Sequence, residues 1–152
     1  LDKLSAEKTA LLFNYIQNGG AVTLKALKDA MKTDPEIILD ILNYLREAPL
    51  YETVCVGDRD FLLCHSGLDN FSREKKLSEY DPHDFLWARP QIDTVYFEDI
   101  ITVFGHTPTK FYRQSLNGRI LHTQTWIDID VGAAYGNPPA LLRLDDLTEF
   151  YL

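Results

Sequence analysis

Hydrophobic positions in the first third of the chain recur at helical spacing and predict three helices. "SAEKTALLFNYIQN", from Ser5 to Asn18, joins a serine suited to cap a helix to good helix formers, and it ends at Gly19-Gly20. A second helix is predicted from near Thr23, and a third follows Asp34-Pro35 and ends at Pro49. We interpret the apolar stripes of these helices as packing faces. Their spaced residues include Leu11, Leu12, Tyr15, Ile16, Leu24, Leu27 and Met31.

From Leu50 onward the pattern changes to short apolar runs, which predict strands. "YETVCVGDRDFLLCHSG" reads as two strands joined at Gly57-Asp58, and "DIITVF" as a buried strand from Asp99 to Phe104. Asn117-Gly118 predicts another hairpin, and "ALLRLDD" a last strand. We therefore expect an α+β or α/β protein in one compact domain. Its helical third, residues 1–49, precedes a mainly antiparallel β-rich segment, residues 50–152.

Composition supports a globular protein and argues against two classes of partner. The 152 residues are 45% hydrophobic and 12% aromatic, enough for one domain with a core. The formal net charge of −8 argues against a nucleic-acid groove, which needs clustered Lys and Arg. The sequence contains no apolar run of roughly 20 residues and no signal peptide, so we expect a soluble, cytoplasmic protein without a membrane partner.

Two further features of the chain lead to expectations about its redox state and its completeness. Cys55 and Cys64 lie in apolar, strand-like runs, so we expect both thiols to be reduced, buried and without a catalytic role. The chain begins at Leu1, with neither a methionine nor an export signal. We expect it to be a piece of a longer protein.

Two histidines occupy the same local setting, at the end of an apolar strand and next to a turn. His106 follows "DIITVF" in "TVFGHTPT", and His65 ends "FLLCHSG". Side chains at strand ends project into the crevice above a sheet, where metals and ligands bind. A single such histidine would favour a structural hydrogen bond, whereas a second one in the same setting raises the odds that each offers a ring nitrogen to a metal. Because 41 residues separate them, only the tertiary structure could bring them together.

Two other segments supply candidate side chains for the same crevice. In "DFLWARP", Arg89 follows an aromatic anchor and suits bidentate recognition of a phosphate; the alternative is a surface arginine stacked on Trp87. In "IDIDVGAAYGNPP", alternation places Asp128 and Asp130 on one face, where they could support a histidine. Tyr135 is a candidate pocket residue in the turn that follows. The alternative is that this segment is only a tight turn.

The ordered set "LLCHSGL", "FLWARP", "VFGHTPT", "WIDIDVGAAYG" and "LLRLDD" resembles the C-terminal half of the calcineurin-like metallophosphoesterases. Within that family it is most similar to the bacterial serine/threonine phosphoprotein phosphatase branch. The resemblance runs from about Phe61 to Leu144. The preceding helical segment resembles the family's insertion between its third motif and this histidine.

The resemblance implies a portion of a four-layer α/β/β/α sandwich, with this chain contributing the second sheet and flanking helices. It also implies a phosphatase with two divalent metal ions, Mn or alternatively Fe, Zn or Mg, that hydrolyses phosphate monoesters with metal-activated water. By the same resemblance, His65 and His106 ligate one of the two metals, Arg89 clamps the substrate phosphate, and Asp130 has a supporting role. Tyr135 is a second candidate for a supporting role, from its place in the turn. The expected partners are a phosphorylated protein or small phosphate ester and the remainder of the phosphatase domain.

The family's three N-terminal metal motifs, "GD-x-HG", "GD-x-x-DRG" and "GNH-[ED]", do not occur in this sequence. We therefore expect the chain alone to be inactive, because two imidazoles hold a hard divalent cation weakly. Three interpretations stay open: the C-terminal part of a complete phosphatase, a degenerate phosphatase-like binding module, and a pure interaction domain. The segment from Asn70 to Asp84, with Lys75 and Lys76, is the candidate specificity loop. His83 and His122 are expected to be surface or strand histidines.

Overall fold

The computed structural model describes residues 5–152, which divide into two compact units with a boundary between Ala48 and Pro49. This boundary coincides with the predicted change from a helical to a β-rich segment. The first unit contains helices α1 (Ala6–Tyr15), α2 (Ala21–Ala30) and α3 (Ile37–Glu47). A π-helical turn, Ile16–Gly20, connects the first two of them.

Local chemistry accounts for the ends of these helices. The Ser5 side chain accepts a hydrogen bond from the backbone N–H of Lys8, which confirms the predicted cap of α1. Gly19 adopts a φ of 91°, so the predicted glycine stop is a kink between two helices. Pro35 lies just before α3, whose cap residue is Glu36.

The apolar stripes of the helical unit are largely exposed. Among residues 5–48 only Gly20 is buried, and Leu11, Phe13 and Val22 are 64%, 64% and 77% exposed. Within the described part of the helical unit, therefore, these helices do not cover one another's predicted packing faces. No described helix combines the length and apolar character needed to cross a bilayer.

The second unit is built on a five-stranded sheet and a small two-stranded sheet. The strands of the first are β1 (Tyr51–Val56), β2 (Arg59–Cys64), β3 (Ile100–Phe104), β4 (Leu121–His122) and β5 (Trp126–Asp128), in the order β1-β2-β3-β5-β4. Strands β6 (Ala140–Leu142) and β7 (Glu149–Tyr151) form the second sheet. A short helix, α4 (Pro82–Leu86), lies in the connection between β2 and β3.

The large sheet is mixed. Strands β2, β3 and β5 are parallel, while β1 and β4 pair antiparallel to them at the two edges. The helical first third and the mixed α/β class agree with the sequence. Three of the five described strand pairings are antiparallel, as predicted, whereas the two parallel pairings at the centre of the sheet were not predicted. Parallel pairing brings the carboxyl ends of β2, β3 and β5 to one edge of the sheet. His65, His106 and Asp130 follow these ends.

One predicted hairpin is confirmed and one is wrong. Gly57 and Asp58 form a tight two-residue turn between β1 and β2, with Gly57 at a φ of 65°. Asn117-Gly118 does not join two strands, because a 3₁₀ turn, Gln114–Leu116, precedes it. The Thr109 hydroxyl lies 2.9 Å from the Leu116 carbonyl and 2.8 Å from that of Arg119, which keeps this segment folded locally. The hairpin lies instead between β4 and β5.

Alternate residues of the central strands bury opposite faces of the sheet. Leu62, Phe104 and Trp126 belong to one core cluster, and Phe61, Val103 and Ile127 to the other. Cys55 is exposed, contrary to prediction, because it lies on edge strand β1, and Cys64 is half-buried. Burial raises the pKa of the Cys64 thiol to about 11, so it is protonated near neutral pH.

Candidate metal and phosphate site

His65 and His106 meet at the carboxyl ends of β2 and β3. The Nε2 of His65 lies 3.0 Å from the Nδ1 of His106, and the two rings approach edge to face with centroids 4.8 Å apart. Parallel pairing of Leu63 with Val103 places the two turns side by side, and the N–H of Gly105 donates to the carbonyl of His65. The fold thus brings together two residues that are 41 positions apart.

The backbone and surroundings of His106 are unusual. Its φ of 74° lies in the left-handed region, which non-glycine residues occupy mainly at turns and functional sites. The ring is half-buried, and its edge-to-face contact with Trp87 has a centroid distance of 5.5 Å. Its Nε2 is buried and has no hydrogen-bond partner among the described residues. The ring is therefore held by packing and by His65 rather than by a backbone acceptor at Nε2.

Burial lowers the pKa of His106, and the nearby His65 and Arg89 lower it further, while Asp130 acts in the opposite direction. A neutral imidazole is the form that ligates a metal. Two ring nitrogens 3.0 Å apart can either share one proton or both face a common cation. The pair therefore fits a metal such as zinc or iron, for which imidazole is a suitable ligand.

A hydrogen bond to Thr107 holds Arg89 beside the histidine pair. Its Nη1 donates to the Thr107 hydroxyl at 2.9 Å, one residue after His106, and its side chain is otherwise exposed. The preceding Ala88 is fixed because its N–H donates to the Ser66 hydroxyl, at 2.8 Å. Trp87 packs against the rings of His106 and His83, so the arginine lies next to a metal-ligand candidate.

Asp130 and Tyr135 have different positions. Asp130 is half-buried and lines a cavity of about 400 Å³ with both histidines and Gly105. Tyr135 is 60% exposed; its ring lies 5.9 Å from that of Phe111 and 3.6 Å from the Lys110 ammonium. Tyr135 is therefore not among the residues that line this cavity.

Asp128 lies inside the sheet and accepts a backbone hydrogen bond from Asp130. Strand β5 ends at Asp128, which is fully buried, and its Oδ1 accepts the N–H of Asp130 at 2.8 Å. Asp130 Oδ1 in turn accepts the N–H of Gly132 at 2.9 Å. The two aspartates are thus successive links in a turn, and only Asp130 reaches the histidine cavity.

Within residues 5–152, no group of three or more His, Cys, Asp or Glu side chains is arranged to hold a metal. The described chain therefore offers two imidazole ligands and a nearby guanidinium. Sequence reasoning missed Thr107, which anchors Arg89, and Ser66, which anchors Ala88. A hydroxyl residue directly after each histidine, in "HS" and "HT", was the available signal.

Comparison with known proteins identifies no relatives: no protein-family model, no curated protein and no solved structure matches the chain.

Proposed function

We propose that the β-rich unit provides part of the active site of a dinuclear-metal phosphoesterase acting on phosphate monoesters, most simply a phosphoprotein phosphatase. In this proposal the chain is the C-terminal half of a four-layer α/β/β/α sandwich and works in the cytoplasm. The observation that carries the proposal is the 3.0 Å approach of His65 Nε2 and His106 Nδ1 beside Arg89. Two imidazoles are suited to bind a metal cation, and a guanidinium is suited to bind a phosphate anion next to it.

The two histidines would hold one metal ion through the nitrogens that face each other. Because the pKa of His106 is lowered, its ring is available as a neutral ligand near pH 7. Two nitrogens leave most of a coordination sphere open, and Mn²⁺ and Mg²⁺ prefer oxygen ligands. We propose that another segment of the complete protein supplies carboxylate and amide oxygens for this ion and for a second one. When bound, the metals supply Lewis acidity and a water nucleophile.

Arg89 would orient the phosphate group. Its hydrogen bond to Thr107 fixes the guanidinium one residue from His106, and the remaining N–H groups are left for phosphate oxygens. A phosphate bound there would lie close to the two histidines that are proposed to hold the metal. Asp130 lines the same cavity, where its carboxylate would stabilise a bound cation electrostatically.

One observation favours a second candidate, a non-catalytic module that binds phosphorylated ligands. The described residues contain no group of three potential metal-ligating side chains, so they lack a bridging carboxylate between two ions. In this alternative Arg89 binds phosphate without hydrolysis. Complementation by the missing segment distinguishes the two, because only the first candidate then yields turnover.

The proposal can be tested on the full chain by nuclear magnetic resonance. Zn²⁺ should shift the backbone signals around His65 and His106, and inorganic phosphate added next should shift those around Arg89. Arg89→Ala should abolish the phosphate effect. Arg73→Ala is the matched control, because that guanidinium is paired with Glu98 at 2.7 Å. A phosphate effect that survives Arg89→Ala, or zinc shifts centred elsewhere, would contradict the proposal.

A further inference from the structure

Arg89 lies on the walls of two clefts of different chemistry. The smaller, about 240 Å³, is bounded by Thr107 and by apolar and aromatic residues such as Ile92 and Phe111. The larger, about 430 Å³, has a wall formed by the segment after His65. Its residues besides Arg89 and Pro90 are Leu68, Asp69, Asn70, Phe71, Gln91 and Thr94. Its volume lies in the range that accommodates small ligands.

The larger cleft carries opposite charges, with the Arg89 guanidinium and the Asp69 carboxylate both on its walls. Asp69 is exposed and forms no salt bridge with any residue from 5 to 152. Its Oδ1 accepts only a 3.2 Å hydrogen bond from the N–H of Asn70. The carboxylate therefore retains oxygen lone pairs for a ligand.

The backbone around Asp69 is fixed. The N–H of Asp69 donates to the carbonyl of Asp84 at 3.0 Å, and Asn70 Nδ2 donates to the Asp84 carboxylate at 2.8 Å. On the other side, the Tyr96 hydroxyl bonds both the N–H and the carbonyl of Leu68, at 3.0 and 2.8 Å. A carboxylate held on such a loop loses little freedom when a ligand binds.

We propose that the larger cleft selects phosphate monoesters whose organic group carries a cation. This proposal rests on the proposed role of Arg89. The Arg89 side chain holds the phosphate, and the Asp69 carboxylate holds an ammonium or guanidinium group on the organic part of the ester. Phosphoserine beside a basic residue and small aminoalkyl phosphates share this chemistry. The smaller cleft has no carboxylate on its wall and offers such a cation no partner.

Two probes of nearly equal shape test the assignment. O-Phosphoethanolamine and n-propyl phosphate differ only in an ammonium in place of a methyl group. Each is titrated into the full chain without added metal, so that the result does not depend on the metal centre. Backbone signals of Asn70, Phe71 and Thr94, which line the larger cleft and not the smaller one, report on binding there. We expect the ammonium probe to bind about threefold more tightly, as one solvent-accessible ion pair allows.

Asp69→Asn should remove this preference while both probes still bind. Asp58→Asn is the matched control, since Asp58 lies in the turn at the opposite end of β2 from His65. Equal affinities of the two probes in the wild-type chain, with binding still sensitive to Arg89→Ala, overturn the cation assignment and leave the phosphate role intact. Failure of both phosphates to bind overturns the assignment together with the proposed role of Arg89.

Discussion

The Nε2 of His65 and the Nδ1 of His106 lie 3.0 Å apart although 41 residues separate them in the chain. In the proposed site both nitrogens ligate the same ion, so removal of either ring should abolish the same metal site. We expect His65→Ala and His106→Ala each to lower Zn²⁺ affinity by more than about 100-fold, because loss of outer-shell partners alone costs about 10- to 100-fold. Calorimetric titration of Zn²⁺ measures the effect.

The matched control for the histidine variants is His122→Asn. His122 lies on the edge strand β4, where its Nε2 is 2.7 Å from the carboxylate of Glu149. It does not line the histidine cavity. Zinc affinity should be unchanged in this variant. An effect in His106→Ala but none in His65→Ala would reject a shared ion.

The chain alone should not hydrolyse p-nitrophenyl phosphate in the presence of Mn²⁺. The physical reason is that two nitrogens and a guanidinium leave an oxygen-preferring cation mostly unliganded. The measurement is release of p-nitrophenolate, compared between the wild-type chain and Arg89→Ala. Turnover that Arg89→Ala abolishes would show that the described residues form a complete site.

Thr107→Val should weaken phosphate binding without unfolding the protein. Valine keeps the shape of threonine but loses the oxygen that holds Arg89 Nη1 at 2.9 Å. A net hydrogen bond is worth about 1 kcal/mol, so we expect phosphate affinity to fall about fivefold. Affinity from a phosphate titration and the thermal midpoint are measured together. A large fall in the midpoint with unchanged affinity would assign Thr107 a purely structural role.

Thr109→Val and Thr102→Val form a matched pair for the core, because both threonines are fully buried. The Thr109 hydroxyl lies within hydrogen-bond distance of two carbonyls, whereas Thr102 Oγ1 has no partner among the described residues. Thr109→Val should therefore lower the free energy of unfolding by about 1–3 kcal/mol. Thr102→Val should be neutral or stabilising. Equal losses in denaturant titrations would contradict this difference.

Asp128 should make the stability of the protein depend on pH. Burial is the main cause that raises its pKa to about 8, and the Asp130 carboxylate adds to the effect; the hydrogen bond from the Asp130 N–H opposes it. Between about pH 4 and pH 8 the folded state then binds more protons than the unfolded state, so stability falls as pH rises, by at most about 1.4 kcal/mol per pH unit.

The test compares the pH dependence of the wild-type chain with that of Asp128→Asn. The asparagine retains an oxygen for the N–H of Asp130 and cannot ionise, so its unfolding free energy should fall less across this range. Above about pH 8 the variant should be the more stable protein. The exposed Asp58→Asn serves as the control, and parallel curves for wild-type and Asp128→Asn would reject the buried acid.

The sequence was most informative where local patterns determine structure. The Ser5 cap, the Gly57-Asp58 turn and the strand ending before His106 follow from neighbouring residues, and all three are present. The hairpin prediction at Asn117-Gly118 was wrong because the Thr109 hydroxyl lies within hydrogen-bond distance of carbonyls on both sides of this pair, at Leu116 and Arg119. A pattern centred on two residues contains no information about such a partner.

In the candidate site, too, local sequence predicted some features, whereas contacts between distant segments determine the others. His65 and His106 could be singled out as strand-end residues, but their 3.0 Å approach depends on the parallel register of Leu63 with Val103. The anchoring of Arg89 by Thr107 also joins segments that are distant in sequence. Asp128 and Asp130 looked alike by alternation, yet the strand ends between them, so one is buried and the other reaches the cavity.

The left-handed backbone at His106 restricts how this position can vary through evolution. At a φ of 74°, glycine is tolerated freely, and asparagine, aspartate and histidine are the other residues that commonly adopt this conformation. Of these, only histidine offers an imidazole nitrogen, the ligand that suits zinc or iron, whereas asparagine and aspartate offer oxygen on a shorter side chain. The main chain and the proposed chemistry therefore limit the choice independently, and histidine satisfies both.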